Sequence, residues 1–268
     1  CCSFIQRKTN VTCTFNIADM MFLITAESKI YGIKSEITLR SPKKNQVFLK
    51  YSDTFNSVIP LNLFQTWFTL NLPTKMKENV DLLKKENPEF NYFLFDDFMC
   101  RNFIKEYYDK EVLECFDKLK PGAYKADLWR YCILYKFGGI YLDIKYKCIN
   151  GFKFKYLTDK EYWVKDRPMF DVPGIYQALM VTFPGNSKLY KAINDIIQNC
   201  KNNIYTKLTP LSVTGPGLLS NYFNPIDFYE MTLHNVGDII TFNNIKILEY
   251  YREYRYEQSS SRPDIKFY

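Results

Sequence analysis

Four ionisable side chains lie close together in the middle of this chain: Asp127, Arg130, Asp143 and Lys145. Two carboxylates and two cations in one crevice are suited to holding a polar or anionic ligand by charge-assisted hydrogen bonds. The competing account of the Asp127–Arg130 couple is an ordinary surface ion pair, worth about 0.3–0.5 kcal/mol. The elements that carry them favour the first account. Pro121 suits a first helical position, where its missing N–H costs nothing. No breaker follows from Ala123 to Tyr135, so a helix is expected there, with Asp127 and Arg130 on one face. Gly138-Gly139 stops that helix and allows positive φ or close backbone approach. Ile140-Tyr141-Leu142 then reads as a short strand with Asp143 at its carboxyl end, where open α/β sheets place ligand-binding groups.

The stretch Ala126-Asp127-Leu128-Trp129-Arg130, followed by Gly138-Gly139-Ile140-Tyr141-Leu142-Asp143, resembles the sugar-nucleotide glycosyltransferases related to glycosyltransferase family 32. That group includes fungal initiating mannosyltransferases, with the large clostridial glucosylating toxins as more distant relatives. Its signature is an Ala/Ser-Asp-x-x-Arg helix followed by Gly-Gly-x-Tyr-x-Asp-x-Asp. Lys145 stands where the second Asp of that pattern belongs. Ile59-Pro60-Leu61-Asn62-Leu63-Phe64-Gln65-Thr66-Trp67 resembles the family's opening Ile-Pro-x-x-x-His-Gln-Thr-Trp, with Phe64 in place of the His. Thr214-Gly215-Pro216-Gly217 resembles its Thr-Gly-Pro loop, and Tyr254-Arg255-Tyr256-Glu257-Gln258 a tail motif of microbial and viral members. The likeness covers roughly residues 58 to 260.

What the resemblance implies is an α/β, GT-A-type Rossmann-like domain over residues 58–268; residues 1–57 lie outside it, and their β-branched and aromatic content reads as a small β-rich extension that packs on that domain. It implies a UDP- or GDP-linked sugar as donor, transfer of a hexose with retention, and a glycan or glycolipid as acceptor. Asp127 is assigned to sugar hydroxyls, Arg130 to sugar or phosphate oxygens, and Asp143 to ribose, sugar or a metal. Gln65, Trp67, Gly138, Gly139, Tyr141, Thr214, Gly215 and His234 are the expected donor contacts, Trp67 by stacking on the base. A family lid beyond the tail motif is expected to lie outside this sequence. The Asp-x-Asp pattern implies Mn2+ or Mg2+ held by oxygen ligands, Asp143 among them. A protonated Lys145 cannot ligate such an ion. Three readings of it stay open: metal held by Asp143 and a distant residue, an ammonium that neutralises the diphosphate itself, or a solvated side chain beyond an irregular strand end. Weakened metal dependence ranks first. The rival reading of the whole chain is a non-catalytic sugar-nucleotide or glycan-binding module with a degenerate motif.

Composition narrows the classes. The chain has 268 residues, 47% of them hydrophobic, and no apolar run of 18 or more, so a membrane span is not expected. Its net charge of +7, from 36 basic and 29 acidic residues, is dispersed along the chain. A nucleic-acid binder concentrates such charge on one element and loses affinity steeply with salt, so nucleic acid is not expected as a partner. Eight cysteines without a C-x-x-C pair argue against both a disulfide framework and structural zinc. Cys132 and Cys148 are read as buried free thiols. The chain opens on Cys1 without a secretory signal pattern, and a removed upstream segment is allowed for. The compartment stays open, with a cytoplasmic site (host cytoplasm or virus-associated) favoured over the Golgi lumen.

The remaining pattern is simpler. Strands are expected over Leu61–Gln65, Phe90–Phe95, Tyr146–Ile149 (continuing the strand before it) and Ile175–Phe183, with more between Tyr229 and Leu248. Helices are expected over Pro73–Lys85, after Asp97 to Tyr107, over Glu111–Leu119 and over Ser187–Asn199. Of the pair Asp96-Asp97, one is expected to cap a helix while the other is left open to a ribose. His234, the only histidine, is more commonly a structural residue than a catalyst.

Overall fold

The structure is a computed structural model that describes residues 57–120, 122–167, 174–205 and 210–261. The extension expected over residues 1–57 falls almost entirely outside these. Three parallel strands form the first half: β1 (Asn62–Thr66), β2 (Asn91–Phe95) and β3 (Gly139–Leu142), with β1 between the other two. Helix α1 (Thr74–Glu86) crosses from β1 to β2. Helices α2 (Asp97–Tyr107), α3 (Lys110–Lys118) and α4 (Gly122–Phe137) lie between β2 and β3. Parallel strands require such crossovers, which is why this half reads as βα units.

Further strands complete a nine-stranded mixed sheet: β4 (Tyr146–Cys148), β5 (Tyr162–Lys165), β6 (Ile175–Thr182), β7 (Leu233–Val236), β8 (Ile239–Phe242) and β9 (Ile245–Tyr250). The spatial order is β2-β1-β3-β6-β5-β7-β8-β9-β4. Helices α5 (Ser187–Lys201), α6 (Pro216–Ser220), α7 (Pro225–Glu230) and α8 (Tyr254–Ser261) accompany them. Both faces of the sheet are covered, as the alternation of its strands shows. Phe64, Tyr141, Trp163 and Met180 pack with the helices α2 to α6 on one face. Their neighbours Leu63, Ile140, Val164 and Leu179 pack with Leu83, Phe152 and Phe154 on the other.

Helix α4 has no solvent stripe: Asp127 through Leu134 are all buried. A helix covered on every side is a core helix, so any charge it carries must meet partners inside the protein. Its end is set by Gly138 (φ +61°) and Gly139 (φ +114°). A Cβ on Gly138 would sit 2.6 Å from Pro184 Cδ, and one on Gly139 2.6 Å from the Asn62 carbonyl oxygen. These two glycines therefore let the chain reverse and press against β1.

The step from β3 to β4 corrects the expectation of one continued strand. After Leu142 the chain turns, with Tyr146 N–H donating to the Asp143 carbonyl at 3.2 Å. Strand β4 then pairs with β9 at the opposite margin of the sheet. Four peptide steps reach at most about 15 Å, whereas six strand spacings in a flat sheet would separate β3 from β4 by about 29 Å. The sheet must curl until its last strand returns beside its third. That curl builds the pocket, because it brings β9 and the following α8 against the carboxyl end of β3. The region Tyr229 to Leu248 opens with the end of α7 before its strands, and β5, α7 and α8 are elements the sequence pattern did not single out.

Candidate active site

A cavity of about 190 Å³ opens at the carboxyl ends of β1 and β3. Arg130, Tyr141 and Asp143 form one wall, Thr66, Trp67 and Phe68 another, and Asp97, Ala123 and Ala126 a third. Tyr254 and Gln258 of α8 close it from the side. This is the carboxyl-end crevice at which α/β sheets bind ligands.

Arg130 is the hub. Its Nη2 lies 3.6 Å from Asp127 Oδ1 and its Nη1 3.6 Å from Asp143 Oδ1. Its Nε donates to the Ala126 carbonyl at 3.1 Å and Nη1 to that of Gln177 at 3.2 Å. The guanidinium lies over the Tyr141 ring, 4.5 Å from its centroid. Burial opposes its charge, but Tyr141, Asp143 and Asp127 outweigh that and push its pKa up.

Asp127 sits one layer behind. Thr214 Oγ1 donates to its Oδ2 at 2.8 Å, and Thr214 is in turn fixed through its carbonyl by Tyr131 Oη (3.2 Å) and Gln177 Nε2 (3.3 Å). A Cβ on Gly215 would meet the Leu211 carbonyl at 2.9 Å and Asp127 Oδ2 at 3.5 Å, so the glycine lets this loop close on the carboxylate. Burial pushes the Asp127 carboxyl up to about 6, with Arg130 and Thr214 offsetting only part of it.

Asp143 behaves oppositely. Burial alone would raise its pKa, yet Lys145 and then Arg130, with hydrogen bonds from Lys145 and Tyr141, hold it below the usual carboxylate value. Lys145 Nζ is 2.8 Å from Oδ2, and Tyr141 Oη donates to Oδ1 at 2.8 Å. Lys145 is not a solvated side chain beyond an irregular strand. Its ammonium lies 5.0 Å from the Tyr250 ring centroid, 5.4 Å from that of Tyr176 and 5.6 Å from that of Tyr146.

The structure thus gathers Asp127, Arg130, Tyr141, Asp143, Lys145 and Trp67 at or directly behind one cavity. Thr214 and Gly215 act at one remove, by holding Asp127. The other expected donor contacts stand away from the cavity wall. Gly138 and Gly139 lie at the amino end of β3, and Asp143 at the other end. Gln65 is buried beneath it, accepting from Tyr92 Oη at 2.8 Å. His234 bonds the Met231 carbonyl at 2.9 Å through Nε2 and pairs within β7 and β5. Of the acidic pair, Asp96 caps α2, accepting from Met99 N–H at 2.8 Å, while Asp97 reaches the cavity. Tyr254 and Gln258 were legible only as part of the tail motif. Glu257 between them accepts from the N–H groups of Lys75 and Met76 at 2.8 Å each, capping α1 from the far end of the chain.

The expected Mn2+ or Mg2+ meets a donor set that does not fit it. Both oxygens of Asp143 are engaged, one by an ammonium and one by a phenol. Among the described residues no three His, Cys, Asp or Glu side chains converge as a cation site. Also among the described residues, no helix is long and apolar enough to cross a membrane.

Residues 73–163 match the family described as the glycosyltransferase sugar-binding region containing a DXD motif. Inositol phosphoceramide mannosyltransferase 2 of Schizosaccharomyces pombe is 29% identical over 181 residues, covering 65% of this chain and 51% of that protein. An uncharacterised glycosyltransferase of Acanthamoeba polyphaga mimivirus is 37% identical over 93 residues, covering 34% of this chain and 37% of its own. The chain spans about half the length of the curated relatives it matches. Among solved structures, PaToxG glycosyltransferase overlaps 61% of this chain and 68% of its own, at 16% identity and a TM-score of 0.48, an overlap too loose to assign roles. The matched segment runs from α1 through β5 and contains Asp127, Arg130 and Asp143. Through this region the chain shares the DXD-motif sugar-binding segment of these glycosyltransferases.

Proposed function

We propose that this chain transfers a hexose from a UDP- or GDP-linked donor to a glycan or glycolipid acceptor, with retention of the anomeric configuration. The observation that carries the reading is the convergence of Arg130 and Asp143 on one cavity wall, with Asp127 ion-paired behind them and Trp67 opposite. Trp67 has the ring to stack on a base, and its indole N–H is buried with no hydrogen-bond partner among the described residues. The names of the fungal relatives speak of mannosyl transfer to inositol phosphoceramide, which favours mannose as the hexose and a phosphoinositol lipid as the acceptor.

In the transfer, the bond between the sugar's anomeric carbon and the diphosphate oxygen breaks, and its electron pair leaves with the diphosphate. The acceptor hydroxyl forms the new bond to that carbon on the same face. Its proton passes to the departing phosphate oxygen, giving a nucleoside diphosphate and the glycoside. Arg130 supplies fixed positive charge where negative charge grows, the largest single means of lowering such a barrier. Asp143, on the cavity wall, accepts from sugar or ribose hydroxyls, while Asp127 behind it holds Arg130 in place.

The test is a donor panel of UDP- and GDP-sugars with glycan and phosphoinositol-lipid acceptors, scoring nucleoside diphosphate release and the anomer formed by NMR. One donor should be consumed, with retention. Tight donor binding without release, in the presence of every acceptor, would support the rival non-catalytic module instead.

A further inference from the structure

Lys145 occupies the second acidic position of the motif and is nevertheless an internal residue, its side chain only 15% exposed. Burying an ammonium is costly unless it is paired. Here the charge is paired. Asp143 holds it at 2.8 Å, and the faces of Tyr146, Tyr176 and Tyr250 surround it. The three phenols are themselves linked, Tyr146 Oη donating to Tyr176 Oη at 3.0 Å and Tyr176 Oη lying 3.2 Å from Tyr250 Oη. An ordinary structural lysine does not come with a box assembled from three separate strands or strand margins.

Charge shows what the box is for. Two carboxylates, Asp127 and Asp143, face two cations, Arg130 and Lys145, so the cluster is formally neutral. An Asp at 145 would leave it two charges more negative, and a doubly anionic diphosphate would be repelled unless a divalent ion joined it. Exchanging that Asp for Lys changes the local charge by as much as binding one divalent cation would. It also removes the ion's ligands, since one Asp143 oxygen is taken by the lysine itself. Lys145 is off the cavity wall while Asp143 is on it. The lysine therefore acts through Asp143 as a positioning and charge-balancing residue, leaving Arg130 to face the ligand.

We infer that Lys145 replaces the divalent cation as the resident countercharge of this site, so that a nucleoside diphosphate binds here without metal. The inference rests on the donor reading above and adds to it a metal-independent mode of holding that donor.

Calorimetric titration of UDP and of GDP into the full chain, once with chelator and once with Mn2+, tests it. The preferred nucleotide should bind with affinities that agree within about twofold between the two conditions. Titration of Mn2+ alone, followed by the EPR signal of the free ion, should show no bound metal in the native protein. In Lys145→Asp, nucleotide affinity should fall at least tenfold in chelator and recover with Mn2+, and the EPR titration should now report a bound ion. Lys145→Met, which adds no like charge beside Asp143, should show the same loss in chelator if the aspartate variant does not fold. A native protein that binds Mn2+, or binds nucleotide tenfold more tightly with it, overturns the inference. Failure of both nucleotides to bind in either condition would instead sink the donor reading, while the manganese titration still decides whether Lys145 has displaced the ion.

Discussion

Asp127→Asn should make the unliganded protein more stable while impairing donor binding. Burial raises the Asp127 carboxyl from 3.8 to about 6 even after Arg130 and Thr214 have exerted their pull. The sign follows directly. A carboxyl with its folded pKa above its unfolded value contributes stability in full below about pH 3.8. It loses that stability as pH rises through about 6, and above that pH the loss stays constant. The shift is roughly 2 pH units, each about 1.36 kcal/mol, so ionised Asp127 costs the fold about 3 kcal/mol at neutral and alkaline pH. Asparagine carries no charge and keeps an oxygen to accept from Thr214 Oγ1. Urea unfolding should therefore show the variant about 3 kcal/mol more stable than the native protein at about pH 8, and only about half as much at about pH 5. Donor affinity should fall at least about tenfold, because Arg130 loses the carboxylate that positions it against the cavity. A variant less stable than the native protein at pH 8, or a difference that does not shrink on acidification, would refute the burial cost assigned to the Asp127 carboxylate.

Asp143→Asn should have the opposite consequence, since it strands the Lys145 ammonium in its tyrosine box. Breaking a buried pair from one side costs about 3–5 kcal/mol, and thermal unfolding should register a marked drop in Tm where Asp127→Asn gives a rise. Gly139→Ala should destabilise by about 1–3 kcal/mol, because the residue holds φ +114° and its Cβ would collide with the Asn62 carbonyl. Its folded fraction should bind nucleotide within about twofold of the native affinity, as befits a residue at the far end of β3, and a selective loss of binding would return it to the donor site.

The physical reasons for what the sequence revealed and withheld are specific. Asp127, Arg130 and Asp143 were legible because one helix, one glycine turn and one strand are local structures, and a strand's carboxyl end is a ligand position in any parallel half-sheet. The same reasoning, pressed further, places Gly138 and Gly139 away from the ligand: four residues at about 3.3 Å each put them some 13 Å from the end of β3 that carries Asp143. Their conformational demands are met by Pro184 and Asn62, and their match to a motif reports packing. His234 likewise spends its ring nitrogen on a neighbouring carbonyl.

Lys145 marks where local reading gives out. Strand alternation would have set it on the face of Asp143, and the observed pairing does unite them, but through a turn. What surrounds it was invisible locally, because Tyr176 belongs to β6 and Tyr250 to β9, and only the curl of the whole sheet brings those strands to one point. The same curl seats Tyr254 and Gln258 on the cavity and lets Glu257 cap α1. Glu257 thus ties α8, which lines the cavity, to the first crossover helix. The substitution that breaks the Asp-x-Asp pattern is therefore accompanied by aromatic partners from distant strands, as expected of a site rebuilt around a lysine and not of one that has merely lost an aspartate.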